Sequence, residues 1–263
     1  MQNLANKVVL VTGASSGLGE QICYQAAKQG AIIIACARSV DKLQQVKERC
    51  EELSQNHCYA FKVDMSDAQS IKYLVQAIYA NEKNIDVLVN CAGFGYFEDF
   101  IDFDMNQARQ MFEVNILGMM LLTQKIAAKM VLRQSGHIIN IASMAGKMAT
   151  PKSTIYSATK FAVIGFSNAL RLELKPFGIH VTTVNPGPIE TNFFNIADPN
   201  GGYLDKIGAM VLQADDLAKE IVNTFGKNNR EINRPRLMNT AAFFYQVFPT
   251  IGDYLAGGIF NKK

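Results

Sequence analysis

The stretch Tyr156-Ser157-Ala158-Thr159-Lys160 places a phenol and an ammonium four residues apart at the opening of a helical pattern. Side chains at i and i+4 share a helix face. A neighbouring ammonium favours the phenolate and draws the phenol's pKa down from ~10 towards neutrality. Such a tyrosine can hand a proton to an alkoxide forming beside it, or take one back. By itself the pair also suits a solvated helix surface, but it does not stand alone. Ser143 follows the apolar run Ile138-Ile139-Asn140-Ile141-Ala142. The C-terminal edge of a parallel strand is where open α/β sheets build their sites, and a hydroxyl there can hydrogen-bond a substrate oxygen. Asn115 lies in the long helical pattern 106–133, amid Phe112, Val114, Ile116 and Leu117. Asparagine is a poor helix-interior residue and needs a buried partner there; a satisfied core asparagine is the alternative reading.

A second group of residues suits a dinucleotide. The run Thr12-Gly13-Ala14-Ser15-Ser16-Gly17-Leu18-Gly19 joins an apolar strand pattern to a helical one. Glycines let the backbone turn sharply and approach a ligand, and the helix N-terminus offers unpaired N–H groups to a pyrophosphate. The Gly-x-x-x-Gly-x-Gly spacing lacks the Gly-Lys-Ser/Thr ending of a triphosphate loop, which argues against a nucleotide triphosphatase. An acidic residue about 20 positions past such a loop would bind the ribose hydroxyls of NAD. Here the second strand ends in Ala37-Arg38-Ser39. An arginine can pair bidentately with a 2′-phosphate, so Arg38 favours NADPH over NADH; a solvated strand-end charge is the alternative. Asn90-Cys91-Ala92-Gly93 ends a further strand, with Gly93 and Gly95 clearing room for a ligand.

The elements that must position these residues are legible as an alternation. Short apolar runs at 8–11, 31–35, 59–63, 87–89, 137–141 and 180–184 alternate with amphipathic stretches at 20–29, 41–53, 67–81, 106–133 and 156–175. Near-continuous apolar strands suit a sheet buried on both faces, and the alternation implies right-handed βαβ crossovers. The expected fold is α/β: a Rossmann-type doubly wound parallel sheet with helices on both faces. No internal boundary or repeat is visible, so the expectation is one domain over 1–263. Its irregular stretch 186–208 would be a substrate lid, and 237–263 a C-terminal aromatic segment.

Length and composition narrow the class. A chain of 263 residues, 49% of them hydrophobic, can bury a sizeable core. A net charge of +3, from 26 basic and 23 acidic residues, gives no basic stripe and no case for nucleic acid. The five cysteines, Cys23, Cys36, Cys50, Cys58 and Cys91, form no Cys-x-x-Cys pair. Free thiols in a reducing, cytoplasmic setting are therefore expected. His57, His137 and His180 are far apart in the chain, with no metal-ligand spacing, so no metal is expected. The N-terminus has no targeting pattern, and no uncharged run of ~20 residues suggests a transmembrane helix.

Taken together, these residues resemble the short-chain dehydrogenase/reductase family, from about Lys7 to Thr191, with the motifs in the family's order. The resemblance implies that Tyr156 is the general acid in reduction and the base in oxidation. It implies that Lys160 lowers the tyrosine's pKa and holds the nicotinamide ribose, and that Ser143 polarises the carbonyl. Asn115 would hold a water connecting Lys160 to solvent. Gly13, Ser15, Ser16, Gly17, Leu18 and Gly19 would cradle the cofactor, with Asp64 and Met65 at the adenine. Asn90, Ala92 and Gly93 would flank the cofactor. In Pro186-Gly187-Pro188-Ile189-Glu190-Thr191, Ile189 and Thr191 would meet the carboxamide. The activity implied is NADPH-dependent reduction of a ketone or aldehyde, with a small-molecule carbonyl or alcohol as substrate. A homodimer or homotetramer is implied too.

One departure concerns the end of the chain. Many members finish with a strand and a Val-Asp-Gly-Gly segment, whereas here Arg230-Glu231-Ile232-Asn233-Arg234-Pro235 leads into an aromatic stretch. That stretch could close a pocket for a lipophilic substrate, pack at a dimer interface, contact a membrane peripherally, or simply pack on the core. Two other functions fit a dinucleotide fold: a non-catalytic redox regulator, and a sugar-nucleotide epimerase or dehydratase. The first has no need of Ser143, Tyr156 and Lys160 together. The second usually carries a separate substrate lobe.

Overall fold

The computed structural model describes residues 3–80, 84–198 and 208–257. Among them seven strands form one parallel sheet: β1 (Val8–Thr12), β2 (Ile32–Ala37), β3 (Tyr59–Lys62), β4 (Val87–Asn90), β5 (Gly136–Ile141), β6 (Ile179–Pro186) and β7 (Glu231–Arg234). Their spatial order is β3-β2-β1-β4-β5-β6-β7. The order reverses between β1 and β4, and that switch point is where a doubly wound sheet opens a crevice at its carboxyl edge.

Side chains alternate across a strand, and β1 divides its own between two cores. Val9 and Val11 face one layer with Ile33, Val89, Leu217 and Phe225. Val8 and Leu10 face the other with Leu88, Ile71, Leu122 and Ile138. The first layer is covered by α1 (Gly17–Ala27), α2 (Val40–Ser54) and a helix over Ala214–Val222. The second is covered by α3 (Ala68–Ala80) and by the continuous helix Met105–Arg133.

That long helix has three parts: α4 (Met105–Phe112), a π-helical turn (Glu113–Gly118) and α5 (Met119–Arg133). By length and composition it could cross a membrane, yet half of its most apolar window is buried inside the fold. Its apolar face is the floor of the second core, with Leu122, Ile126 and Met130 fully buried. After β5 comes α6 (Thr154–Leu174), and after β6 the short α7 (Phe193–Ala197). The Ala214–Val222 helix is then α8, and α9 (Arg236–Val247) and α10 (Pro249–Gly257) end the described chain.

The six expected strands and five long helices are present, within a few residues at each end. Two expectations need correction. The 230–235 segment is not a departure from a final strand: Glu231–Arg234 pairs in parallel with β6, in the register Thr183↔Glu231 to Pro186↔Arg234. Only Ile232 of this edge strand is buried, so it carries no apolar run to announce it. The histidines are also not all apart. The β5–β6 register sets His137 beside His180, with ring centroids 5.9 Å apart.

Part of the expected lid, 199–207, lies outside the described residues, as does 258–263 of the C-terminal segment. The described remainder of the lid stretch contains α7 and is pinned by Leu212, which bonds Pro188 and Glu190 through the backbone at 2.8 and 3.0 Å. In the C-terminal segment Ala242 is buried, while Leu237, Phe243, Phe244, Phe248, Ile251 and Tyr254 are exposed. All five cysteines are free thiols, four of them buried.

Candidate active site

A cavity of about 560 Å³ opens along the carboxyl edge of the sheet, over the switch point between β1 and β4. Of the residues singled out from the sequence, Gly13, Ser15, Ser16, Gly17, Leu18 and Gly19 line it at the start of α1. Arg38, Asp64 and Met65 line it at the ends of β2 and β3, and Ala92 and Gly93 at the end of β4. Ser143, Tyr156, Lys160, Pro186, Gly187, Ile189 and Thr191 complete the lining from β5, α6 and β6. Asn90 and Asn115 do not reach the cavity surface; both lie beneath it.

The phosphate-side wall is built for close backbone approach. Gly13 has φ +68°, and a Cβ there would stand 2.9 Å from the Cα of Ala92. Only glycine combines that conformation with that contact. Thr12 fixes the facing loop, its Oγ1 accepting from the backbone N–H groups of Cys91 and Ala92, each at 3.1 Å. Arg38 is exposed at the rim, with Lys42 of α2 also in the wall. Asp64 accepts from the Ser66 hydroxyl at 2.7 Å and the Ser66 N–H at 2.9 Å. These bonds, assisted by Arg38 and Lys62, hold its carboxyl below the usual carboxylate range.

Tyr156 stands in the first turn of α6, buried. The Lys160 ammonium lies one turn on, 5.6 Å from the centre of the Tyr156 ring, and donates to the Ile141 carbonyl at 3.0 Å. Burial lowers the Lys160 pKa to about 8. Ser143 caps the short turn Met144–Gly146: its Oγ accepts from Ala145 N–H at 3.1 Å and donates to the Pro186 carbonyl at 3.4 Å. The second bond is long, so the hydroxyl can be turned towards another acceptor at little cost.

Asn115 has the buried partners its position demands. In the π-helical turn its Oδ1 accepts from Phe94 N–H at 3.1 Å, and its Nδ2 donates to the Phe94 carbonyl at 2.9 Å and to Thr159 Oγ1 at 3.2 Å. Thr159 in turn donates to the Tyr156 carbonyl at 2.8 Å. Asn115 thereby ties the loop after β4 to the turn that carries Tyr156. Asn90 donates to Thr123 Oγ1 at 2.9 Å and to Asn140 Oδ1 at 2.8 Å, and so braces β4 against α5 and β5.

The geometry adds residues that sequence reasoning missed. Phe94 and Phe97, Met144 and Met148, Phe193 and Phe194, and Met238 of α9 all line the cavity. The sequence signal that could have found the phenylalanines is their placement in the segments that follow the strand ends after β4 and β6. Nothing local marked Met238 as part of a site. Its Sδ would stand 2.7 Å from a Cβ placed on Gly187, so the C-terminal helix reaches the loop after β6.

A family model described as short chain dehydrogenase matches residues 7–200. The chain belongs to the short-chain dehydrogenase family. It is similar to dehydrogenase/reductase SDR family member 7B of Danio rerio, at 31% identity over 251 residues, covering 92% of this chain and 81% of the relative. It is also similar to a solved short-chain dehydrogenase from Sphingobium yanoikuyae in complex with NADPH. That match has a TM-score of 0.80 and 25% identity, over 94% of this chain and 96% of the other. The closed form of serine dehydrogenase complexed with NADP+ superposes with a TM-score of 0.78 at 29% identity, over 86% and 94% of the two chains. This short-chain dehydrogenase is accordingly an oxidoreductase enzyme that uses a nicotinamide dinucleotide.

Proposed function

We propose that the enzyme is an NADPH-dependent carbonyl reductase, converting a lipophilic ketone or aldehyde to an alcohol. The observation that carries this reading is the convergence of Ser143, Tyr156 and Lys160 on one cavity whose other end is a glycine cradle with a cation at its rim.

A dinucleotide fits the residues present. The Gly13 cradle, which a Cβ would fill, and the start of α1 offer backbone N–H groups to the pyrophosphate through Ser15, Ser16, Gly17, Leu18 and Gly19. Arg38, with Lys42 behind it, would hold the 2′-phosphate, and Asp64 and Met65 the adenine. Ala92 and Gly93 would flank the bound cofactor, with Asn90 supporting them from below. Pro186, Gly187, Ile189 and Thr191 would border the nicotinamide. When bound, the reduced nicotinamide supplies a hydride.

The protein's own part is orientation and one proton. Ser143 turns its hydroxyl from Pro186 to the substrate oxygen, and Tyr156 donates its phenolic proton to that oxygen as it gains charge. Lys160 stabilises the phenolate left behind and would hold the ribose hydroxyls of the cofactor. Asn115 holds the turn around both residues in place. The stretch 186–208 acts as the substrate lid of a single domain. The joint presence of Ser143, Tyr156 and Lys160 in one cavity favours an enzyme over a non-catalytic regulator.

The exposed Leu117, Leu132, Phe161 and Leu172 on the outer faces of the long helices support a homodimer or homotetramer. The exposed apolar side of α9 and α10 is where a second copy or a membrane surface would make contact. The free thiols suit a cytoplasmic location.

The cofactor assignment has a direct test. Arg38→Asp should weaken NADPH binding by about 10- to 100-fold and leave NADH binding little changed, since a charge-assisted pair is replaced by repulsion. Fluorescence titration of the two nucleotides measures this. An unchanged ratio of affinities would remove the 2′-phosphate role.

A further inference from the structure

The rings around Tyr156 come from two separate elements. Phe97, in the loop after β4, meets the Tyr156 ring edge-on with centroids 5.9 Å apart. Phe193, at the start of α7, meets it at 5.7 Å with the planes tilted by 54°. Phe194 closes the group, 6.2 Å from Phe97 and 5.2 Å from Phe193. The two elements are also tied through the backbone, Phe97 N–H donating to the Ala197 carbonyl at 2.9 Å. Both Phe97 and Phe193 face the cavity.

Charge is distributed unevenly along the same cavity. Its charged lining residues, among those described, are Arg38, Lys42, Asp64 and Lys160. The first three stand at the ends of β2 and β3 and on α2, away from Tyr156 along the sheet edge. Lys160 is buried and bonded to Ile141. Phe97 and Phe193 meet the Tyr156 ring, and the cavity lining also includes Met144, Met148 and Met238, with Ser143 and Thr150 as hydroxyl groups.

We infer that Phe97 and Phe193 determine specificity, selecting a carbonyl whose flanking group is uncharged and apolar and rejecting one that bears a carboxylate or phosphate. This rests on the reductase reading above. A carboxylate placed between those rings would lose its hydration against apolar side chains, and the one cation near Tyr156 among the described residues, Lys160, is already bonded to the Ile141 carbonyl. A ring or alkyl group placed there gains aromatic contact, and the unbranched methionines adapt to its outline.

The test compares 1-phenylpropan-1-one with its para-carboxylate, using NADPH as reductant. Wild type should reduce the neutral ketone with a kcat/KM at least about 100-fold above that of the carboxylate. Phe193→Arg should supply the missing cation, raising kcat/KM for the carboxylate about 10-fold or more and lowering it for the neutral ketone. Phe193→Leu keeps the wall apolar and should keep the neutral ketone ahead; thermal unfolding of both variants checks their fold. Equal use of the two ketones by wild type overturns the inference, as does an unchanged preference in a folded Phe193→Arg. Turnover of neither ketone by enzyme that binds NADPH overturns the reductase reading, and the inference with it.

Discussion

Tyr156 and Lys160 were legible because their spacing is itself a physical statement: four residues on a helix is one face. Thr159, between them, was not. A hydroxyl within a helix reads as neutral filler until its neighbours in space are known, and those neighbours are 44 residues away in Asn115 and one turn back at the Tyr156 carbonyl. Asn115 fell in between: its type said that a partner must exist, and only the fold could say that Phe94 and Thr159 provide it. This makes Thr159 testable. Thr159→Val keeps the volume, removes the acceptor and strands one buried N–H of Asn115, which should cost about 1–3 kcal/mol of stability. Thr159→Ser should recover most of that loss. Urea unfolding of the three proteins measures it, and a Val variant as stable as wild type would deny the link any structural weight.

The strands and long helices were readable wherever one face had to be apolar, and β7 was not because an edge strand with one buried side chain has no such face. Loops are where the reading stopped. Between β4 and α4 the sequence marked glycines but could not say what approached them. At Gly95 the answer is the Tyr156 ring: a Cβ on residue 95 would stand 2.6 Å from Tyr156 Cδ2. Gly95→Ala should therefore displace the phenol while leaving the distant phosphate cradle intact. Because a misplacement of about 1 Å can cost around 100-fold in rate, kcat should fall by about 10- to 100-fold with the NADPH dissociation constant little changed. Steady-state kinetics with a parallel nucleotide titration separates the two. A normal kcat would mean that the loop yields rather than the tyrosine.

Across the whole molecule, the register of the sheet creates features no local pattern carries. His137 is buried between β6 and the turn before β7, and its Nδ1 accepts from Gly226 N–H at 3.0 Å. Its Nε2 therefore bears the hydrogen, 2.8 Å from Thr182 Oγ1. Burial, with His180 alongside, lowers its pKa to about 3. An unfolded histidine takes up its proton near 6.5, so between those values the unfolded chain binds more protons. Stability should then fall as pH drops below about 6.5, by up to about 1.4 kcal/mol per pH unit from this residue, and be flat in this respect above it. His137→Gln should shallow that acid limb in urea unfolding series; an identical limb would assign it to other groups. One fold brings a dinucleotide cradle and a proton-donating tyrosine to a single cavity. The most direct measurement is NADPH consumption with a neutral ketone by wild type and by Tyr156→Phe, each also titrated for NADPH binding. Wild type should turn over, the variant should lose at least about 100-fold, as expected when a general acid is removed, and both should bind NADPH with similar affinity. Undiminished turnover by a Tyr156→Phe enzyme would mean that Tyr156 is not the proton donor.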